Sequence, residues 1–227
     1  MSNEGMFNAG ARRAFSVVLC AVVGMVPVTV LGQAQKQSLY DRFVESVAVD
    51  RSDEVAAMLT RGMDPNTVDP NGEPMLVVAS RAGFEPTVDA LLRAGAKVDA
   101  RNGFGDTAIM VAALGGHLVL VKKLFTRGAE INPAGWTPLS YAASNGKTEV
   151  AGYLLDIGAN INALSPNGTT ALMMAVRGGH SETVDLLLGK GADVNLRNQN
   201  GASALAWATR GGFDTIEKSL VKRGAKP

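Results

Sequence analysis

From Asn167 to Asn195 the chain alternates apolar stripes with small-residue breaks in a fixed order. Leu172, Ala175 and Val176 lie three and four residues apart, so they share one face of a helix, and Met174, Arg177 and Gly178 fall on the other. Gly178 and Gly179 end that helix, since glycine costs roughly 1 kcal/mol in a helix interior. A second stripe, Val184, Leu187 and Leu188, follows. Lys190 suits the negative end of its dipole, and Gly191 can take the left-handed conformation that ends a helix. Thr170 and Ser181 stand where side chains cap helix starts. The pattern predicts two short antiparallel helices and an extended connection.

The unit recurs. Its closing glycine returns at Gly62, Gly95, Gly128, Gly158, Gly191 and Gly224, at spacings of 33, 33, 30, 33 and 33. Its opening glycine keeps step at Gly72, Gly105, Gly135, Gly168 and Gly201. A period in this range signals stacked repeats, because one helix pair cannot bury its apolar face alone. Helix pairs are expected near 74–94, 107–127, 137–157, 170–190 and 203–223. Ahead of them, Ser38 should cap a helix from Leu39 to about Val49. A second helix should run through Thr60, and this pair forms an N-terminal cap over 38–69. The last pair exposes Glu217, Lys218, Lys222 and Arg223 and serves as the C-terminal cap. The connection after Gly128 is three residues short, so its tip at 132–135 should be clipped.

The residues that recur are those of a known family. Gly135-Trp136-Thr137-Pro138-Leu139 followed by Ala142-Ala143, the Gly-His pairs at His117 and His180, and the closing Gly-Ala-Asp-Val-Asn at 191–195 resemble the ankyrin repeat. The resemblance runs from about Ser38 to the C-terminus. It implies an all-α repeat solenoid, a stack of helix pairs with short β-hairpin fingers. The histidine that usually follows the Leu of Thr-Pro-Leu is replaced by Val77, Met110, Ser140, Met173 and Ala206. Its inter-repeat bonds must therefore be absent or replaced.

Met1 to Ala34 lies outside the repeat. Arg12-Arg13 precede an apolar run of 18 residues, Ala14 to Leu31, and then small residues at Gly32 and Ala34. This order reads as a signal peptide over 1–34, leaving a domain over 35–227. Arg12-Arg13-Ala14-Phe15 is a partial twin-arginine pattern. The alternative is an uncleaved anchor at 14–31, the lower limit of length for a span. The only cysteine, Cys20, falls inside the segment. The expected place is the periplasm or the medium, or the inner membrane if the anchor stays.

Net charge is +1, without the basic excess of a nucleic-acid binder. No catalytic triad, His-Glu-x-x-His, Cys-x-x-Cys or phosphate-loop motif occurs. His117 and His180 share one repeat position and read as turn supports, so no catalytic residue, cofactor or metal site is assigned. The expected role is binding of another protein by a monomer. The resemblance implies binding by the finger tips and the concave face of the first helices, and helix arithmetic finds the same face: Val78, Arg81, Val111, Leu114, Tyr141, Ser144, Asn145, Met174, Arg177, Trp207 and Arg210, with Phe104, Asp106 and Trp136 near the finger tips. Trp, Tyr and Arg are the types enriched in binding hot spots.

Overall fold

The computed structural model describes residues 38–226. The assignments made for residues 1–34, including the cleavage site, the anchor and Cys20, lie outside the described residues. Twelve α-helices occur among the described residues, paired along the chain. The N-terminal pair is α1 (Leu39–Ala48) and α2 (Ser52–Thr60). Then come α3 (Met75–Ala82) and α4 (Glu85–Arg93), α5 (Ala108–Gly115) and α6 (Leu118–Thr126), and α7 (Pro138–Ser144) and α8 (Thr148–Asp156). The last are α9 (Ala171–Arg177) and α10 (Ser181–Gly189), and α11 (Ala204–Gly211) and α12 (Asp214–Lys222). No described helix is long and apolar enough to cross a membrane.

The helices stack in two rows, and a leucine column runs through each. Leu76, Ile109, Leu139, Leu172 and Leu205 occupy one position of the first helices, and all are buried. Leu91, Leu124, Leu154, Leu187 and Leu220 occupy one position of the second helices, and none is accessible. Full burial of such a side chain contributes about 1.5–3 kcal/mol. The columns therefore bind neighbouring pairs into one continuous core.

Helix starts follow the sequence in most repeats. The Ser38 hydroxyl accepts from the Asp41 N–H at 3.0 Å, and the Asp41 carboxylate accepts from the Ser38 N–H at 3.3 Å. Thr170 accepts from the Met173 N–H at 3.2 Å, and Ser203 from the Ala206 N–H at 3.2 Å. Ser181 departs from expectation. It is the first residue of α10, the cap position belongs to His180, and no side chain caps this helix. The acidic Glu182 in the first turn meets the helix dipole instead.

The histidines support the turns between helices. His180 Nε2 lies 3.1 Å from the Ser144 carbonyl, and His117 Nε2 lies 3.3 Å from the Arg81 carbonyl, each one repeat back. Their rings fill space that glycines leave open. A Cβ on Gly178 would sit 2.3 Å from His180 Nε2. Met110, in the slot where the family has its other histidine, brings its thioether 3.5 Å from the Thr107 N–H. Ser140, in the same slot, takes the Thr137 N–H at 3.0 Å.

A polar ladder accounts for the closing Asn or Asp of each repeat. Asn66 Oδ1 accepts from the Lys97 N–H at 2.8 Å, and Asp99 Oδ1 from the Glu130 N–H at 3.0 Å. Asn132 Oδ1 accepts from the Asn160 N–H at 2.8 Å, Asn162 Oδ1 from the Asp193 N–H at 2.9 Å, and Asn195 Oδ1 from the Lys226 N–H at 2.9 Å. Each repeat thus holds the loop of the next.

The fingers are tight turns, and no strand forms among the described residues. Single bridges join Val68 to Pro74 and Arg197 to Ser203. In the finger at 69–73 the Asp69 N–H donates to the Glu73 carbonyl at 2.9 Å, and the Gly72 N–H to the Asp69 carbonyl at 2.9 Å. The same pair of bonds closes 102–106, 165–169 and 198–202. This is a three-residue hairpin loop with glycine in the left-handed position. The first side chain locks it. Asn198 Oδ1 accepts from the Asn200 and Ala202 N–H groups, both at 3.0 Å. The short connection has no such turn: backbone bonds of this kind are absent between Asn132 and Thr137.

Candidate functional site

The front of the stack is built by the first helices and the fingers in front of them. One repeat position, nine residues after the opening glycine, holds Arg81, Leu114, Ser144, Arg177 and Arg210. The finger residue directly after that glycine is Glu73, Asp106, Trp136, Thr169 or Ala202. The chemistry of the front depends on how these two positions are matched.

In the N-terminal half the charged members of both positions are satisfied within the chain. Arg81 forms a two-pronged pair with Glu73, one prong at 2.6 Å, and Asn102 Nδ2 donates to the same carboxylate at 3.0 Å. The Arg81 guanidinium, with help from Asn102, outweighs partial burial and holds the Glu73 carboxyl below its ordinary pKa. The Tyr141 hydroxyl donates to the Asp106 carboxylate, and the Trp136 ring meets Tyr141 edge-on at 6.4 Å. Burial first, and then the bond to Asp106, push the Tyr141 phenol well above its ordinary pKa. Tyr141 packs partly against the core, so it bridges its own helix to the preceding finger. Ser144 donates to the Tyr141 carbonyl at 2.8 Å, and Asn145 to the Leu114 carbonyl at 2.9 Å. Leu114 is half-buried, and Val111 is 2% exposed and belongs to the core, not to the concave surface.

The C-terminal half differs. Arg177 and Arg210 are exposed, and among the described residues neither has a hydrogen-bond or ion-pair partner. Met174 and Trp207 are half-buried against the core. Arg177, Trp207 and Arg210 line one open groove of about 510 Å³ together with Asn167, Asn198 and Asn200. No acidic residue lines it. The structure therefore brings together three of the expected residues. Arg81, Asp106 and Tyr141 form a separate, internally bonded part of the front. Phe104 stands alone at its finger tip, 92% exposed. The three asparagines of the groove escape helix-face reasoning because they sit on fingers. Their recurrence one residue (Asn167, Asn200) or three residues (Asn198) before the opening glycine is the signal that could have found them.

The back of the stack has its own links between repeats. Lys123 donates to Asp89 at 2.7 Å, and Lys190 to Asp156 at 2.7 Å. No cluster of metal-ligating side chains occurs among the described residues.

A paired-helix stack with locked finger turns and a lined front defines a repeat scaffold. The family model for ankyrin repeats (3 copies) matches residues 46–134, 76–165 and 157–227, and the chain belongs to the ankyrin-repeat family. A crystal structure of an ankyrin repeat domain from Acinetobacter baumannii is similar to it with a TM-score of 0.72 at 30% identity, over 82% of this chain and 98% of that one. Over 147 residues the chain is 32% identical to ankyrin repeat and KH domain-containing protein mask-1 of Caenorhabditis elegans, 58% of this chain and 6% of that protein. Over 62 residues it is 44% identical to human protein phosphatase 1 regulatory subunit 27, 26% of this chain and 40% of that protein. The chain thus spans less than half the length of each of these two relatives. Ankyrin repeats are protein-interaction scaffolds, typically without enzymatic activity.

Proposed function

We propose that the protein is a non-enzymatic scaffold that binds another protein through the front of its last two repeats, acting as a monomer exported to the periplasm. One observation carries the binding reading: Arg177, Arg210 and Trp207 share a groove without internal partners, whereas the matching Arg81 is already paired. The ladder of closing Asn and Asp side chains supports it, because a surface fixed before binding loses little entropy on binding. Export rests on the basic, apolar and small-residue order of Met1 to Ala34.

Affinity capture with the exported protein tests the scaffold. Trp207→Ala should weaken capture of its partner by about 2 kcal/mol or more, the scale of a hot spot. Glu182→Ala on the back should change it by less than about 0.5 kcal/mol. Equal losses from front and back would place the binding surface elsewhere. Intact mass of the exported protein tests the rest: it should begin at Gln35, and a full-length mass in the membrane fraction would favour the 14–31 anchor.

A further inference from the structure

We propose that the groove at the C-terminal end of the front takes an acidic segment of a partner protein. Its carboxylates would pair with Arg177 and Arg210, and an apolar part of the segment would lie on Trp207. The inference rests on the scaffold reading and specifies its ligand. The protein contains its own precedent. Arg81 occupies the same repeat position as Arg177 and Arg210, and there the finger supplies a carboxylate from Glu73 in a two-pronged pair. The planar guanidinium fork matches a carboxylate in this way. At the equivalent finger position the last two repeats carry Thr169 and Ala202, which supply no charge. The geometry that Glu73 fills in one repeat is thus left to an outside carboxylate in two others.

Of the three lining asparagines, two present only a donor, and Asn200 offers its whole amide. Asn198 Oδ1 is taken by two backbone N–H groups, which leaves its Nδ2 group as the free donor. Asn167 Oδ1 is taken by the Ser165 hydroxyl at 2.5 Å and lies 3.3 Å from the Thr169 N–H, again leaving the amide nitrogen. Two guanidinium groups, two amide NH2 groups and the Trp207 indole are all donors. A ligand that satisfies them must bring acceptors, and no acidic residue of the chain lines the groove to do so. A nucleic acid fits less well. It needs a track of cations along its backbone, whereas the groove has two arginines, no lysine, and a chain of net charge +1 behind it. The volume of about 510 Å³ suits a few side chains.

The test measures binding of dye-labelled hexaglutamate to the exported protein by fluorescence anisotropy. Hexaglutamine, hexalysine and a short oligothymidine strand serve as comparison ligands. Hexaglutamate should bind in low salt and weaken as salt rises. Arg177→Gln and Arg210→Gln should each weaken it by about tenfold. Lys218→Gln, which removes one positive charge from the exposed face of α12, should change it by less than about twofold. Ala202→Glu should weaken binding by about tenfold, because it gives Arg210 the internal partner that Arg81 has. Melting curves identify any variant that fails to fold, and the exposed Arg210→Gln keeps the test open if Ala202→Glu unfolds. No binding of hexaglutamate, equal losses from Arg210→Gln and Lys218→Gln, or tighter binding of hexalysine or oligothymidine would overturn the proposal. If the captured partner depends on Trp207 and is indifferent to Arg177→Gln, Arg210→Gln and Ala202→Glu, the scaffold reading stands and the acidic ligand falls.

Discussion

The ladder between repeats makes a comparison possible within one molecule. Asn132 holds the next repeat with two bonds: its Oδ1 accepts from the Asn160 N–H at 2.8 Å, and its Nδ2 donates to the Gly158 carbonyl at 3.0 Å. Asn162 makes one such link forward, from the Asp193 N–H at 2.9 Å. A net hydrogen bond contributes roughly 0.5–1.5 kcal/mol. Asn132 is exposed, so water replaces part of what is lost, and the low half of that range applies. Asn132→Ala should therefore cost about 1–2 kcal/mol, and Asn162→Ala less than about half of that. The difference should be larger than the bond count alone suggests, because the connection at Asn132 lacks the closed finger turn that supports the other repeats. Chemistry separates the two bonds further. Asn132→Asp keeps the acceptor, removes the donor and sets a carboxylate beside the Gly158 carbonyl. Asp99→Asn should be nearly silent, since Asp99 acts there only as an acceptor for the Glu130 N–H at 3.0 Å.

Urea unfolding followed by circular dichroism measures these changes. In a solenoid, weakening one interface also lowers cooperativity, because stability is a sum of repeat and nearest-neighbour terms. Asn132→Ala should broaden the transition, or split it into an N-terminal and a C-terminal step. If Asn162→Ala costs as much as Asn132→Ala, or if both lie within about 0.3 kcal/mol of wild type, the ladder does not couple the repeats.

Two further predictions concern packing. Leu172 is 1% exposed in the middle of a leucine column, and Leu172→Ala should cost about 2–5 kcal/mol in the same assay; a change below about 0.5 kcal/mol would place the helix face wrongly. Gly178→Ala should destabilise by about 1–3 kcal/mol, because the new Cβ meets His180 at 2.3 Å. In a His180→Ala background the same change should cost less, with only the 3.2 Å contact to the Ser144 carbonyl left, and a cycle without coupling would refute the steric account.

Much of the architecture was legible because glycine and leucine carry it. The period of the closing glycines places every helix pair, and Gly191 has the left-handed φ of 89° that its position implied. Ser38 and Thr170 cap as their positions suggested. Ser181 did not, because capping differs from starting a helix by a single residue, and the hydropathy pattern does not resolve one residue. The finger locks at Asp69, Asn102 and Asn198 were not read either. They look like ordinary polar turn residues until the chain folds and their oxygens meet N–H groups two and four residues on. Helix arithmetic found the front face but treated each helix alone. It could not see that neighbouring repeats bury Val111, or that the preceding finger takes the hydroxyl of Tyr141. Arg210 stays exposed because the last finger carries Ala202 and supplies no carboxylate, while Trp207 packs partly against the core.

The pairing of Glu73 with Arg81 also sets an experiment that runs opposite to loss of function. A solvent-accessible pair contributes little stability, a median of about 0–1 kcal/mol, and this one, with Glu73 half-buried, keeps Arg81 open to water. Its larger effect is to occupy a guanidinium that would otherwise face a ligand. Glu73→Gln keeps the size of the side chain and removes the charge. Arg81 should then resemble Arg177 and Arg210, and the protein should bind hexaglutamate more tightly, or with a second site, by anisotropy. The pH dependence of stability gives an independent readout. The Glu73 carboxyl titrates below its ordinary value of 4.5 in the folded chain, held down by Arg81 and Asn102 against burial. Its stabilising contribution is present above that ordinary value and is lost as pH falls through the folded one. Glu73→Gln should flatten that part of the acid limb by lowering stability at neutral pH, by about 0–1 kcal/mol, while stability below the folded value matches wild type. An acid limb identical to wild type would show that the pair does not form in solution. A flattened limb without any gain in hexaglutamate binding would show that a freed arginine at this repeat position is not enough, and that the donors around Trp207 decide where an acidic segment can sit.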